Sequence, residues 1–185
     1  MQIGYICGTI QPQAYSQFLL EQFPEDHTVT VHQFEDRGWT PKKENLRRGA
    51  VCSWWSYPFT IATSAWKSEY DLVHIQFEPN NFGSIFGVVL VPFLIGILRL
   101  LDVSVVTTLH GPLFGKEERE ASVAMLAPRP LFKPMIMPLL LFLYHGIVRL
   151  SDRTIVHGEV FRDRLEETFS VPTNSVEVVY HGVPS

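Results

Sequence analysis

The residues best placed to do chemistry in this chain are His110 and Glu78, and each closes a run that reads as a buried strand. Apart from Ser104, the stretch Val103-Ser104-Val105-Val106-Thr107-Thr108-Leu109 is β-branched or leucine, and it stops at His110-Gly111-Pro112. An apolar run bounded by turn residues reads as a central parallel strand buried on both faces. In open α/β sheets ligands bind beyond the carboxyl ends of the strands, so an imidazole delivered there faces a crevice. Asp71–Phe77 is a second such run, ending in Glu78-Pro79-Asn80-Asn81-Phe82-Gly83, and two further runs end in Gly8-Thr9 and His181-Gly182. A parallel sheet brings these ends, with Gln76, to one edge. There Glu78 can accept a hydroxyl hydrogen bond while His110 exchanges one with a substrate oxygen. The competing reading of His110 is a side chain that only bonds a neighbouring loop.

The elements that must position these groups follow from hydrophobic spacing. Gln2–Cys7 reads as a first strand, Tyr15–Phe23 as a helix with Tyr15, Phe18, Leu19 and Phe23 at helical intervals, and Thr28–Phe34 as a second strand. This is a βαβ opening with a right-handed crossover. Thr40-Pro41 predicts the start of a short helix bearing Lys42, Lys43, Arg47 and Arg48, either a solvated face or a patch for anionic headgroups. Trp54, Trp55, Tyr57, Phe59 and Trp66 follow, a cluster that suits core packing, sugar stacking or a membrane interface. An apolar helix over Phe82–Leu101 leads to the His110 strand. Beyond it, the polar loop Gly111–Pro130, with Lys116 to Glu120, has the length of a lid or binding loop. A helix at Leu131–Leu150, a strand at Arg153–His157, a helix at Gly158–Phe169 and a strand at Val176–Tyr180 complete the chain.

Composition narrows the function. A chain of 185 residues fits one domain that buries roughly 70% of its unfolded surface, and 46% hydrophobic content supplies the core. A net charge of −4 argues against nucleic acid as partner. Cys7 and Cys52 are expected as thiols in a reducing cytoplasm, the other reading being one disulfide in an exported protein. No basic stretch followed by an apolar one opens the chain, so no signal peptide is expected. Phe82–Leu98 and Pro134–Val148 are strongly apolar but shorter than the ~20 residues of a membrane span, and they carry glycine or proline. The chain lacks metal-ligand spacing, a Gly-x-Gly-x-x-Gly or Walker loop, and a Gly-x-Ser-x-Gly elbow. Zinc chemistry, dinucleotide binding, P-loop phosphoryl transfer and α/β-hydrolase chemistry are therefore set aside.

Four motifs, in order, resemble glycosyltransferase family 4. Asp71-Leu72-Val73-His74-Ile75-Gln76-Phe77-Glu78 with Phe82-Gly83 is similar to the family's "DVVHVQxE…FG", and Val105-Val106-Thr107-Thr108-Leu109-His110-Gly111 to its "PVVxTLHG". Ser151 to His157, with Arg162 and Leu165, resembles "ADxVIVHSxxxxxxL", and Val178-Val179-Tyr180-His181-Gly182-Val183-Pro184 resembles "VIPHGVP". The resemblance implies an α/β, Rossmann-like, mostly parallel sheet with helices on both faces, the N-terminal half of a GT-B fold. It implies one such domain over residues 1–185, without the C-terminal donor-binding domain and its Glu-x7-Glu motif. It further implies retaining transfer of a sugar from a nucleotide-sugar substrate, with no cofactor and no metal. His110 would then contact the transferring sugar, Glu78 would face the acceptor, and the backbone at Gly8 and Thr9 would approach the donor phosphates. Two departures stand out: the loop Cys7 to Pro12 lacks the usual double glycine, and Gly158 replaces a serine. A lone half cannot enclose a nucleotide sugar, so little transfer is expected without a C-terminal partner chain. The expected acceptor is a sugar chain or lipid-linked glycan, reached in the cytoplasm with peripheral contact at the inner membrane face. Two other readings stay open, a non-catalytic membrane adaptor or subunit of a split enzyme, and an inactive remnant.

Overall fold

The valine- and isoleucine-rich runs pair side by side as one parallel sheet. In the computed structural model, which describes residues 1–8, 15–34, 39–82, 85–111 and 133–180, the strands are β1 (Gln2–Cys7), β2 (Thr28–Gln33), β3 (Leu46–Val51), β4 (Leu72–Phe77), β5 (Ser104–Leu109), β6 (Arg153–Val156) and β7 (Val176–Val178). Their order is β3-β2-β1-β4-β5-β6-β7, with every pairing parallel. The chain's direction of travel across the sheet reverses between β1 and β4, and such a switch point opens a crevice at the carboxyl edge.

Helices cover both faces, as the Rossmann-like reading expects. On one face α1 (Tyr15–Gln22) buries Leu20 against Tyr5, Val29 and Val31. On the other lie α2 (Tyr57–Ser68), α3 (Ile85–Val89), α4 (Val91–Leu100), α5 (Lys133–Leu150) and α6 (Glu159–Phe169). Their inner sides, including Ile61, Leu94, Tyr144 and Leu165, form one core with Val73, Ile75, Val105 and Leu109 of the sheet. Gly146 lets α4 and α5 approach closely, since a Cβ there would come within 2.8 Å of Pro92. Near the amino end of β5, Asp152 accepts from the Val105 N–H at 2.8 Å and from Arg99 at 2.9 Å. Those bonds, the Val105 one foremost, hold its carboxyl below the usual range.

Two local expectations are corrected, and one helix is added. Thr40-Pro41 does not start a helix: the chain turns at Glu44-Asn45 and continues as β3, which pairs with β2. The Asn45 carbonyl accepts from the Val29 N–H at 2.9 Å, so strand pairing overrides the capping signal, and exposed Arg47 and Arg48 mark a sheet edge. The apolar segment Phe82–Leu101 is not one helix but a 3-10 turn (Pro79–Phe82) followed by α3 and α4, with Pro92 in the first turn of α4. The aromatic cluster after Cys52 holds the helix α2, with Pro58 in its first turn.

Cys7 and Cys52 are separate buried thiols, and burial pushes them up to about 12 and about 11. Among the described residues no helix is long and apolar enough to cross a membrane. Nor do three His, Cys, Asp or Glu side chains there gather as a metal site would require.

Candidate functional site

Strand β4 alternates, and the alternation builds the site. Val73, Ile75 and Phe77 are buried in the helix-covered core, whereas Leu72, His74 and Gln76 share the opposite face. Register with β5 sets Gln76 beside Thr108 and Phe77 beside Leu109. The His110 N–H donates to the Phe77 carbonyl at 3.0 Å, carrying the pairing one step past the strand. Continued along that register, Glu78 and His110 stand on neighbouring strand ends at the carboxyl rim. Glu78 is exposed and His110 half-buried.

A ladder of hydrogen bonds runs up this face to His110. The Gln76 amide nitrogen donates to His74 Nε2 at 3.0 Å, which makes that nitrogen an acceptor and places the His74 proton on Nδ1. Thr108 Oγ1 lies 2.8 Å from the same nitrogen. Burial, helped by the neighbouring His110, lowers His74 to about 4, so the ring stays neutral and can accept. The other end of the same amide, Gln76 Oε1, accepts from His110 Nε2. Because a carbonyl oxygen only accepts, His110 Nε2 carries a proton in this bond. The Tyr5 ring meets His74 edge-on at 5.5 Å, and the His157 ring lies 4.9 Å from that of His110. His157 in turn donates from Nδ1 to the Val179 carbonyl at 3.0 Å.

Comparison with known proteins identifies the setting of this ladder. The family model described as Glycosyltransferase Family 4 matches residues 17–185. The chain belongs to glycosyltransferase family 4. Solved structures share the family 4 domain's fold: a glycosyltransferase from Rickettsia africae (TM-score 0.50, 11% identity, 98% of this chain and 43% of that one) and a sucrose-phosphate synthase from Thermosynechococcus elongatus (TM-score 0.57, 11% identity, 98% and 90%). A third is Os79 from O. sativa in complex with UDP (TM-score 0.54, 10% identity, 100% and 52%). The domain therefore spans about half the length of two of these three chains. No curated protein sequence matches it.

Within the family 4 domain, the first three sequence motifs fall on β4 with its rim, on β5 with His110 and on β6 with α6, and the fourth starts at Val178, the last residue of β7. Gly8 is buried at the end of β1, and its carbonyl accepts from the Phe34 N–H at 3.0 Å. Thr9, the loop Pro112 to Pro130, and His181-Gly182 lie outside the described residues. Gly111 has φ +130°, a conformation that L side chains rarely adopt, so this turn beside the imidazole calls for glycine. Gly158 caps α6 with extended backbone and open space around its Cβ direction.

Sequence reading gave His74, Thr108 and His157 no role, and named Gln76 only as a strand-end residue. A signal was present. A strand buried on both faces should be apolar throughout. His74 and Gln76 in alternation within Leu72–Phe77 instead mark one face as polar and hydrogen-bonded.

Proposed function

We propose that this domain is the acceptor-side, N-terminal half of a retaining glycosyltransferase. It would transfer a sugar from a nucleotide-sugar donor to a lipid-linked or polysaccharide acceptor at the cytoplasmic face of a membrane. The observation that supports this reading is the ladder Thr108–His74–Gln76–His110, which brings a half-buried imidazole to the strand-end rim, one strand from exposed Glu78. In it His110 is the catalytic residue, meeting the transferring sugar as a hydrogen-bond partner, and Glu78 accepts from an acceptor hydroxyl. Gly8 and Thr9 offer backbone N–H groups to the donor phosphates. The nucleotide sugar is a substrate, and neither cofactor nor metal is assigned. The domain is half of the cleft, and a donor-binding half, in the same polypeptide or a partner chain, completes it.

The test is reconstitution. The chain is assayed for transfer of radiolabelled sugar to a membrane glycolipid extract, alone and with candidate donor-binding halves. Transfer that needs both halves supports the reading. Full transfer by the chain alone, or an assembly that binds nucleotide sugar yet transfers nothing, overturns it. A non-catalytic membrane adaptor is favoured by one observation, the exposed tryptophans of the 54–66 segment, and is supported if vesicles recruit the chain while every assembly stays inactive.

A further inference from the structure

We propose that the outer face of the α2–α4–α5 layer is the surface on which this chain lies against an anionic lipid bilayer. This rests on the membrane-peripheral part of the reading above and names the surface that would make the contact.

The three helices bury their inner sides on the sheet, with α4 packed against both neighbours. Their outer sides carry large apolar residues seven positions apart: Phe59 and Trp66 on α2, Phe86 and Phe93 on α3 and α4, Met135 and Phe142 on α5. Seven residues are nearly two full turns, so the α2 pair and the α5 pair each project from one side of their helix, and Phe86 and Phe93 are exposed on the two successive helices between them. Phe59 and Trp66 are each 70% exposed, and the Phe93 and Phe142 rings meet at 6.0 Å across two helices. Trp54 and Trp55 extend the patch just before α2. A contiguous apolar face of this kind marks a docking surface.

Charge selects the occupant. None of the chain's 19 carboxylates falls within α2, α3, α4 or α5, although the whole chain carries −4. Exposed Lys67 and Arg149 sit instead in the last turns of α2 and α5, whereas Arg99 in the last turn of α4 is paired with Asp152 at 2.9 Å. Glu69 and Asp102 lie just beyond the helix ends. A leaflet with anionic headgroups accepts both features, the rings at the headgroup boundary and the cations at phosphates. The basic segment that the sequence suggests for this role is less suited. Lys42 pairs with Glu21 at 3.2 Å and Lys43 donates to the Glu21 carbonyl, which ties both to α1 on the opposite face of the sheet. In contrast, a bilayer on the α2–α4–α5 face leaves the strand-end rim open for substrates.

The 185-residue chain is floated with vesicles of phosphatidylcholine containing phosphatidylglycerol, and with phosphatidylcholine alone. Binding to the anionic vesicles that weakens with salt is expected. Trp66→Asp with Phe93→Asp should cut the partition coefficient at least about tenfold, and Lys67→Gln with Arg149→Gln several-fold. All four side chains are exposed, so an unchanged melting temperature accompanies the loss; the milder pair Trp66→Ser and Phe93→Ser repeats the test if the aspartates disturb folding. Binding that survives both aromatic pairs but is lost in Lys42→Gln, Lys43→Gln, Arg47→Gln, Arg48→Gln overturns the surface and keeps the membrane reading. Absence of binding to any vesicle overturns both and leaves the transfer assay unaffected. A dimer seen by light scattering that the aromatic substitutions dissolve, without vesicle binding, also overturns the proposal.

Discussion

His32 on β2 and His110 at the end of β5 are both imidazoles held in a parallel sheet, yet the fold uses them differently. His32 is 1% exposed, and both its nitrogens are consumed internally. Nδ1 accepts from the Ala50 N–H at 3.2 Å, so Nε2 carries the proton and donates to the Tyr70 hydroxyl at 3.0 Å. Burial lowers this ring to about 4. His110 is half-buried, its Nε2 is fixed by Gln76, and its other nitrogen belongs to the rim of the crevice. The first ring ties β2 and β3 to the segment before β4. The second is reached by a ladder of hydrogen bonds that runs up one face of β4. Burial is common to both rings; what sets His110 apart is its place at a strand end, on a hydrogen-bond chain that leads to the rim.

The largest expected effect breaks the closed region. His32→Leu removes the acceptor of the part-buried Ala50 N–H and one partner of the buried Tyr70 hydroxyl, and should cost about 2–4 kcal/mol in urea unfolding while leaving transfer by the surviving folded protein unchanged. Loss of transfer at unchanged stability would erase the contrast between the two rings.

Acid sharpens the comparison from the other side. An unfolded imidazole takes its proton below about 6.5, whereas folded His32 and His74 do so only near 4. The folded state therefore binds fewer protons in that window. The stability these rings contribute is complete above pH 6.5 and is lost as pH falls from 6.5 toward 4. For His32 the loss should reach about 2 kcal/mol by pH 5, with a smaller share from the partly buried His74. Urea midpoints at pH 7 and pH 5 measure it, and His32→Leu should remove the larger share. A flat profile would contradict the neutral state of both rings.

Two smaller effects probe the rim. Gly111→Ala must adopt φ near +130° and should cost about 1–2 kcal/mol, read as a lower melting temperature, even though open space surrounds its Cβ direction. Gly158→Ser restores a side-chain cap to α6 in open space and should stabilise by only a few tenths of a kcal/mol, a shift at the edge of calorimetric detection. A large gain there would mean that the missing serine is a structural defect and not a change at the site.

Much of this architecture is legible in the chain because several elements show one clean period. The Ser104–Leu109 strand is β-branched from Val105 to Thr108, and the Glu159–Phe169 helix alternates buried Leu165 and Phe169 with charges. Strand β3 was hidden because Arg47, Arg48 and Gly49 are poor strand residues, and only its edge pairing with β2 defines it. Helix α2 was hidden by its own surface. Tyr57, Ile61 and Ala65 keep the buried four-residue spacing, but exposed Phe59 and Trp66 fill the other side and blur the contrast that marks an amphipathic helix. At the site, His110 and Glu78 are readable as strand ends. The ladder beneath them depends on register between β4 and β5, a tertiary fact that no single strand states.

The most direct test of the central claim compares sugar transfer by His110→Ala and by the parent domain, each assembled with the same donor-binding half at equal nucleotide-sugar concentration. With the folded stability of the two proteins matched by urea unfolding, His110→Ala should slow transfer at least about 100-fold. Equal rates would contradict the assignment of this imidazole to the transferring sugar.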